Sequence, residues 1–153
     1  MLTYAVETWQ KYAPDAENMW LDHWRAIAMD QDTIPLDVDW DRYAALDASG
    51  NLHIVTGRDD EQRLRAYALG IVTGHLHYKS TLHCQYDVYW LDPAYRRGLE
   101  GYRLFQMMER TLQARGVKKL LAGCKVSLDV GPLFERMQWR ETERTFTKYI
   151  GEG

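Results

Sequence analysis

The sequence predicts a single α/β domain spanning 1–153, with a mixed, mostly antiparallel central sheet of about six to seven strands flanked by about four helices. Three observations predict it. The chain has 153 residues, 46% hydrophobic and six of them tryptophan, enough for one sizeable core. Its hydrophobic period switches between helical and strand-like stretches in the order β-α-α-β-β-β-α-β-α-β. A run of strands joined by turn chemistry gives way late in the chain to a strand-loop-helix-strand unit, which requires a parallel crossover.

Each element has its own reason. "YAVETWQ" reads as a first strand, and "PDAENMWLDHWRAIAMD" places Met19, Trp20, Trp24, Ile27 and Ala28 at helical spacing behind Asp15 as N-cap. "PLDVDWDRYAALDASGN" offers Asp39 as cap, Trp40, Tyr43 and Ala44 as an apolar face and Gly50 as terminator. "LHIVTG" and "LRAYALGIVTG", separated by the polar "RDDEQR", read as an antiparallel hairpin, and "LHCQYDVYWL" as a third strand. Helix resumes at about residue 101, where Leu104, Phe105, Met108 and Leu112 line one face and Gly116 stops it before the buried strand "VKKLLAGCKV". Pro132 suits the first turn of a short helix in "DVGPLFERMQW", and the threonine- and aromatic-rich "RETERTFTKYI" reads as a closing strand.

Composition narrows the function. Nineteen basic and 22 acidic residues are interspersed for a net charge of −3, so no broad nucleic-acid surface is implied. Cys84 and Cys124 lie forty positions apart in apolar runs, forming neither a disulfide framework nor a CxxC motif, and both read as reduced core thiols. The N-terminal stretch lacks a leader pattern, and no apolar run approaches the ~20 residues a bilayer span needs. A soluble, cytoplasmic protein is expected. No repeat, low-complexity tract or linker divides the chain.

The chemistry concentrates in "DPAYRRGLEGYRLF", residues 92–105. A strand ending at Leu91 turns through Asp92 and Pro93 and delivers "RRGLEG" to the start of a helix, whose first amides lack internal partners and, with the helix dipole, can hold an anion. Gly98 and Gly101 allow close approach to the backbone, and Arg96 and Arg97 can add charge-assisted contacts to phosphate. Glu100 would repel a phosphate unless it points away; the competing reading is a solvated turn. The sequence has no G-x-x-x-x-G-K-[ST] and no G-x-G-x-x-G after a first strand, which disfavours ATPase and Rossmann readings.

Strand, "LDPAYRRGLEGYRLF", amphipathic helix, "GVKKLLAGCKV" and "GPLFERMQW" together resemble the GCN5-related N-acetyltransferase (GNAT) family. "IPLDVDWDRY", "HLHYKST" and "DVGPLFERMQW" resemble more narrowly its compact bacteriophage and prophage members, which would imply the host cytoplasm. The resemblance covers nearly the whole chain. It implies that Tyr89, Trp90 and Leu91 border the pantetheine arm of acetyl-CoA, and that amides from Arg97 to Tyr102, including those of Gly98, Leu99, Glu100 and Gly101, hold its pyrophosphate. The family loop is R/Q-x-x-G-x-G/A; with Arg96 at its first position, Leu99 replaces the middle glycine and Gly101 keeps the last. The asparagine often found after the next strand falls near Ser127. The tyrosine that commonly protonates the departing thiolate is Phe134, which has no proton to give. Tyr149 is a candidate substitute, or an ordinary strand aromatic.

Acylating an amine needs a group to take its proton, and Asp87 is the best-placed acid. With strict strand alternation, Asp87, Tyr89 and Leu91 share one face while Val88 and Trp90 share the other. Asp87 is then a base or substrate clamp in the pantetheine trough, or a structural residue that caps a strand or pairs with an arginine. His75, Tyr78, Lys79 and Ser80 either wall the acceptor site or form a solvated hairpin bend. His75, His77, His83 and Cys84 raise a zinc site, but no compact ligand pair supports one and no metal is expected. The tryptophans at 9, 20, 24 and 40 read mainly as core or lid.

The expected activity is direct transfer of an acetyl group from acetyl-CoA to a primary amine of a small or protein acceptor. Neither cysteine sits where a covalent intermediate would form. A homodimer is compatible with this reading, and no membrane partner is expected. Two alternatives stand beside it. One is a catalytically weak acyl-CoA-fold binding module engaging a host protein, suggested by Leu99, Glu100 and Phe134. The other is an acyltransferase acting on nucleic acid or aminoacyl-tRNA, against which the net charge counts.

Overall fold

Two hydrophobic layers sandwich the central sheet because its strands are apolar on both faces. The computed structural model describes residues 1–152. Five strands, β1 (Thr3–Glu7), β2 (Leu52–Arg58), β3 (Leu64–His75), β4 (Tyr78–Leu91) and β5 (Lys119–Leu121), lie in sequential order, antiparallel except for the parallel β4–β5 pair. Four helices cover them: α1 (Trp9–Ile27), α2 (Trp40–Ala48), α3 (Glu100–Ala114) and α4 (Gly131–Arg136).

Alternation along the central strands assigns the two layers. Tyr67 and Leu69 of β3 join Leu52 and Ile54 of β2 against Trp9, Tyr12, Ala16 and Trp20 of α1. Ala66, Ala68 and Val72 of β3 point the other way, with Cys84 and Tyr86, against Leu104, Phe105, Met108 and Leu112 of α3 and Phe134 of α4. The aromatic layer is tightly interlocked: Trp9 stacks on Tyr43 of α2 at 4.7 Å between centroids, and Trp20 meets the same ring edge-on at 5.4 Å.

The expected hairpin and its polar turn are present, as are Asp39 as the cap of α2, with Oδ1 accepting from Arg42 N at 2.9 Å, and Pro132 in the first turn of α4. Gly50 and Gly116 follow α2 and α3 with φ of +77° and +86°. Four differences stand out. First, α1 starts at Trp9 behind Thr8, whose side chain accepts from Lys11 N, so Pro14 lies inside the helix. The carbonyl that Pro14 leaves without its donor is that of exposed Gln10, where water can satisfy it.

Second, the sheet has five strands among the described residues, not six or seven. Residues 140–150 are exposed throughout and form no strand, so Tyr149 does not stand at the end of one. Third, Asp15 is not a cap: it accepts from Arg58 Nη1 at 2.8 Å, while Arg58 Nε and Nη2 form a fork on Glu7 at 2.9 and 3.0 Å. Fourth, Cys84 is buried as expected, its thiol pushed up to about 12 by burial, but Cys124 is exposed beyond the end of β5. That strand is too short to carry it into the core. No helix among the described residues is long and apolar enough to cross a membrane.

Candidate active site

β4 organises the site, and an irregularity in it decides which side chains meet. Pairing with β3 passes from Leu69↔Val88 directly to Gly70↔Tyr86, so Asp87 is the extra residue of a β-bulge. The bulge overturns the expected face assignment. Tyr86, Tyr89 and Leu91 all look toward α3, the two tyrosine rings lying 6.1 and 5.1 Å from Phe105. Asp87 instead joins Val88 and Trp90 on the α1/α2 side, where the Tyr43 hydroxyl donates to its Oδ2. Burial, this hydrogen bond and the carboxylate charge push the Tyr43 phenol well above its ordinary value, so it remains a proton donor. Asp87 itself is exposed and able to meet a ligand. Tyr43 read only as part of an apolar helix face; its contact is across 44 residues of chain, and no local signal marks it.

The outer edge of β4 is partly open. β5 pairs with it through His83↔Lys119, Cys84↔Leu120 and Gln85↔Leu121, so from Tyr86 onward no strand among the described residues lies on that side. The Tyr89 hydroxyl crosses the gap, donating to the Gly123 carbonyl at 2.5 Å.

Past Leu91 the chain is held by short-range chemistry. Asp92 caps a 3₁₀ turn, Pro93–Tyr95, by accepting from Ala94 N at 2.9 Å, and its other oxygen takes Arg65 Nη1 at 3.0 Å. Arg96 folds back rather than outward: Nε donates to Leu91 O at 2.9 Å and the guanidinium lies 4.4 Å from the Trp90 ring centroid. Trp90 in turn stacks on buried His23 at 4.8 Å, whose Nδ1 is 2.8 Å from the Tyr67 hydroxyl. Burial and then the Arg96 charge lower His23 to about 4, so it is neutral at pH 7. Arg96, Trp90, Asp92, Met19 and Asp22 line an open cleft of about 370 Å³ between α1 and the end of β4. Arg97 is exposed and, among the described residues, makes no hydrogen bond or ion pair.

The turn into α3 leaves its amides open. Gly98 adopts φ +97°, a left-handed conformation that a side chain would strain. Arg96 N donates to Pro93 O and Arg103 N to Leu99 O, but the six N–H groups from Arg97 to Tyr102 donate to no protein acceptor among the described residues. The two doubtful side chains both turn away. Leu99 is 71% exposed. Glu100 reaches back to β1, accepting from Leu2 N at 3.2 Å and the Tyr4 hydroxyl at 2.9 Å, with Arg103 Nη1 at 3.2 Å. Its charge is thus neutralised away from the amide cradle. Gly101 serves packing, since a Cβ there would come 3.1 Å from Leu133 Cδ2 of α4. Tyr102 is half-exposed and accepts from Gln106.

The remaining sequence candidates are scattered. Ser127 sits on an exposed turn closed by Leu128 N to Lys125 O. Phe134 is core, 4.8 Å from Phe105 and 4.9 Å from Trp139. Tyr149 lies in the unpaired segment and donates to Glu152 O at 3.3 Å. His75, Tyr78, Lys79 and Ser80 flank the two-residue β3–β4 turn, His75 lying 5.0 Å from both the Tyr78 and His83 rings. By strand rise, roughly 3.3 Å per residue, this turn is roughly 25–30 Å from Asp87, so only an extended acceptor could touch both. Among the described residues no three His, Cys, Asp or Glu side chains are grouped to hold a metal ion.

Neither a protein-family model nor a curated protein sequence matches the chain. Solved structures do. A ribosomal-protein-alanine N-acetyltransferase from Brucella melitensis superposes with a TM-score of 0.66 at 13% identity, over 100% of both chains. Glucosamine-6-phosphate N-acetyltransferase from Arabidopsis thaliana gives 0.70 at 12%, over 97% of this chain and 99% of the other. A predicted acetyltransferase with acetyl-CoA from Clostridium acetobutylicum gives 0.69 at 12%, over 97% and 96%. The chain therefore has the fold of the GNAT acetyltransferases: one α/β domain with a mixed sheet opened between β4 and β5.

Proposed function

We propose that the protein is an N-acetyltransferase that transfers the acetyl group of acetyl-CoA directly to a primary amine. The observation that carries this reading is the row of six unpartnered amides from Arg97 to Tyr102, at the N-terminus of α3 and directly after the strand whose outer edge is open. Acetyl-CoA supplies a pyrophosphate for those amides, with Arg97 free to add a charge-assisted contact, and a pantetheine arm that can lie along the open edge of β4. The acetyl group then points toward Asp87. The amine nitrogen bonds to the acetyl carbon, the carbon–sulfur bond breaks, and CoA leaves as a thiolate. Asp87, directly or through a water, takes the amine proton. Tyr43 orients that carboxylate. Water supplies the proton to the thiolate, because Phe134 has none and Tyr149 lies on an unpacked segment.

Calorimetric titration with acetyl-CoA tests the reading, with ATP and dephospho-CoA as comparisons. Binding by wild type and weaker binding by Gly98→Val are expected. A β-branched residue at φ +97° costs about 1–3 kcal/mol in backbone strain and misaligns the amides, so affinity should fall by roughly tenfold or more. Arg97→Ala should cost roughly 1–3 kcal/mol of affinity, and Arg96→Ala less, because Arg96 is already engaged by Trp90 and Leu91. No heat with any acyl-CoA would remove the transferase reading.

A further inference from the structure

We propose that the β3–β4 turn and the adjoining β5 form a docking surface for single-stranded nucleic acid, which holds phosphates on lysines and imidazoles and a base on Tyr78. The net charge of −3 conceals a segregation. Between Arg25 and Arg42 the chain carries Asp30, Asp32, Asp37, Asp39 and Asp41 and no Lys or Arg. Residues 74–84 and 115–128 reverse this, with Lys79, Arg115, Lys118, Lys119 and Lys125 and no Asp or Glu. All four lysines are exposed, and none has an ion pair among the described residues. Sheet pairing brings the two segments together, because His83 of β4 lies opposite Lys119 of β5. From there the chain runs on to Gly123, which meets the Tyr89 hydroxyl, so Lys125 extends the row along the sheet edge.

The end of the hairpin adds a cluster of donors. Pairing passes from Gly74↔Leu82 directly to His75↔Tyr78, so residues 79–81 bulge out of β4 and the turn closes back over His83. The His75 and Tyr78 rings lie 5.0 and 5.9 Å from the His83 ring. Beneath them His83 is only 5% exposed, and its Nδ1 has no hydrogen-bond partner among the described residues. Both covering side chains are exposed, so a change of rotamer uncovers it. His77 N donates to His75 Nδ1 at 3.1 Å, so neutral His75 carries its proton on Nε2. A ring held as a donor has no lone pair free for a metal ion. It suits an anion instead, as do His83 Nδ1 as a donor and the Lys119 ammonium across the strand pair. Tyr78, 55% exposed, offers a ring face beside these cations. Planar rings interleaved with lysines fit a chain of phosphates and bases. An anionic membrane fits less well, because exposed Leu76 stands between two imidazoles rather than on an apolar face.

The test uses the full chain and needs no acetyl-CoA, so it is independent of the transferase reading. Fluorescence anisotropy with a labelled oligouridylate of about 12 nucleotides should show saturable binding at about 50 mM salt. The logarithm of Kd against that of salt concentration should rise with a slope of about 2 to 3, the value for three or four phosphate contacts at ~0.7 each. Lys118→Glu with Lys119→Glu should weaken binding by at least about tenfold and lower that slope by about 1.4. Tyr78→Ala should weaken it by about fivefold or more with the slope unchanged, because stacking adds no phosphate contact. Both variants alter exposed side chains and should keep the far-ultraviolet circular dichroism of wild type. A wild type that does not bind overturns the proposal. So does binding that either variant leaves unchanged, which would place the contacts elsewhere. Binding to vesicles of phosphatidylserine and phosphatidylcholine but not to oligouridylate would overturn it in favour of a membrane.

Discussion

Asp87→Asn should lower turnover of acetyl transfer by ~10²- to 10⁴-fold while leaving acetyl-CoA affinity within about threefold of wild type, because an amide cannot take the amine proton yet keeps the shape of the bulge. Steady-state rates with an accepted amine, paired with calorimetry, check both halves of the expectation. Tyr43→Phe provides the internal comparison. It removes the hydroxyl that donates to Asp87 but not the carboxylate, so its loss should be smaller than that of Asp87→Asn. A variant Asp87→Asn with wild-type turnover would leave Asp87 as a structural bulge residue and move proton removal to solvent.

The second large effect concerns stability. Arg58→Met should destabilise the fold by about 3–5 kcal/mol, read as a shift in the urea midpoint at pH 7, because it strands a carboxylate that is only 2% exposed. The pH dependence fixes the sign. In the wild type, burial pushes Glu7 up, but the hydrogen bonds from Arg58 and Lys11 outweigh it, and the carboxyl ends below its ordinary 4.5. A depressed folded value contributes stability above the unfolded value, and that contribution is lost as pH falls through the folded one. Without Arg58, burial prevails and the folded value rises above the unfolded one. The contribution of Glu7 then runs the other way, being present at low pH and lost as pH rises. Urea unfolding between pH 3 and 7 should therefore show the wild type losing stability on acidification, with the variant's acid-side slope flattened or reversed. Lys11, with 61% of its side chain exposed, is too solvated to replace the guanidinium fork.

Much of the architecture was legible because it rests on periodicity and local chemistry. The α3 stripe of Leu104, Phe105, Met108 and Leu112, the β2–β3 hairpin and the Asp39 cap are each encoded within a dozen residues. The loop was legible for the same reason: its glycine and the strand-to-helix junction are contiguous. What escaped was set at longer range. Pro14 suggests a helix start when read alone, but the buried stripe Trp9, Tyr12, Ala16, Trp20 and His23 carries α1 through it. Face assignment on β4 assumed an unbroken period of two, and one inserted residue defeats that assumption for everything on one side of it. "RETERTFTKYI" has the composition of a strand, but composition cannot supply the neighbour that a strand needs.

Glu100 turns a would-be obstacle into a mechanical link. Its carboxylate ties the first turn of α3 to Leu2 and Tyr4, so the loop is stitched to the strand at the opposite edge of the sheet from the gap beside β4. Fraying of β1 and loosening of the amide cradle are thus one event, not two, and whatever occupies the cradle stabilises a region it never touches. An observer watching only the first few residues, by amide exchange or by protease nicking, could tell whether the cradle was loaded.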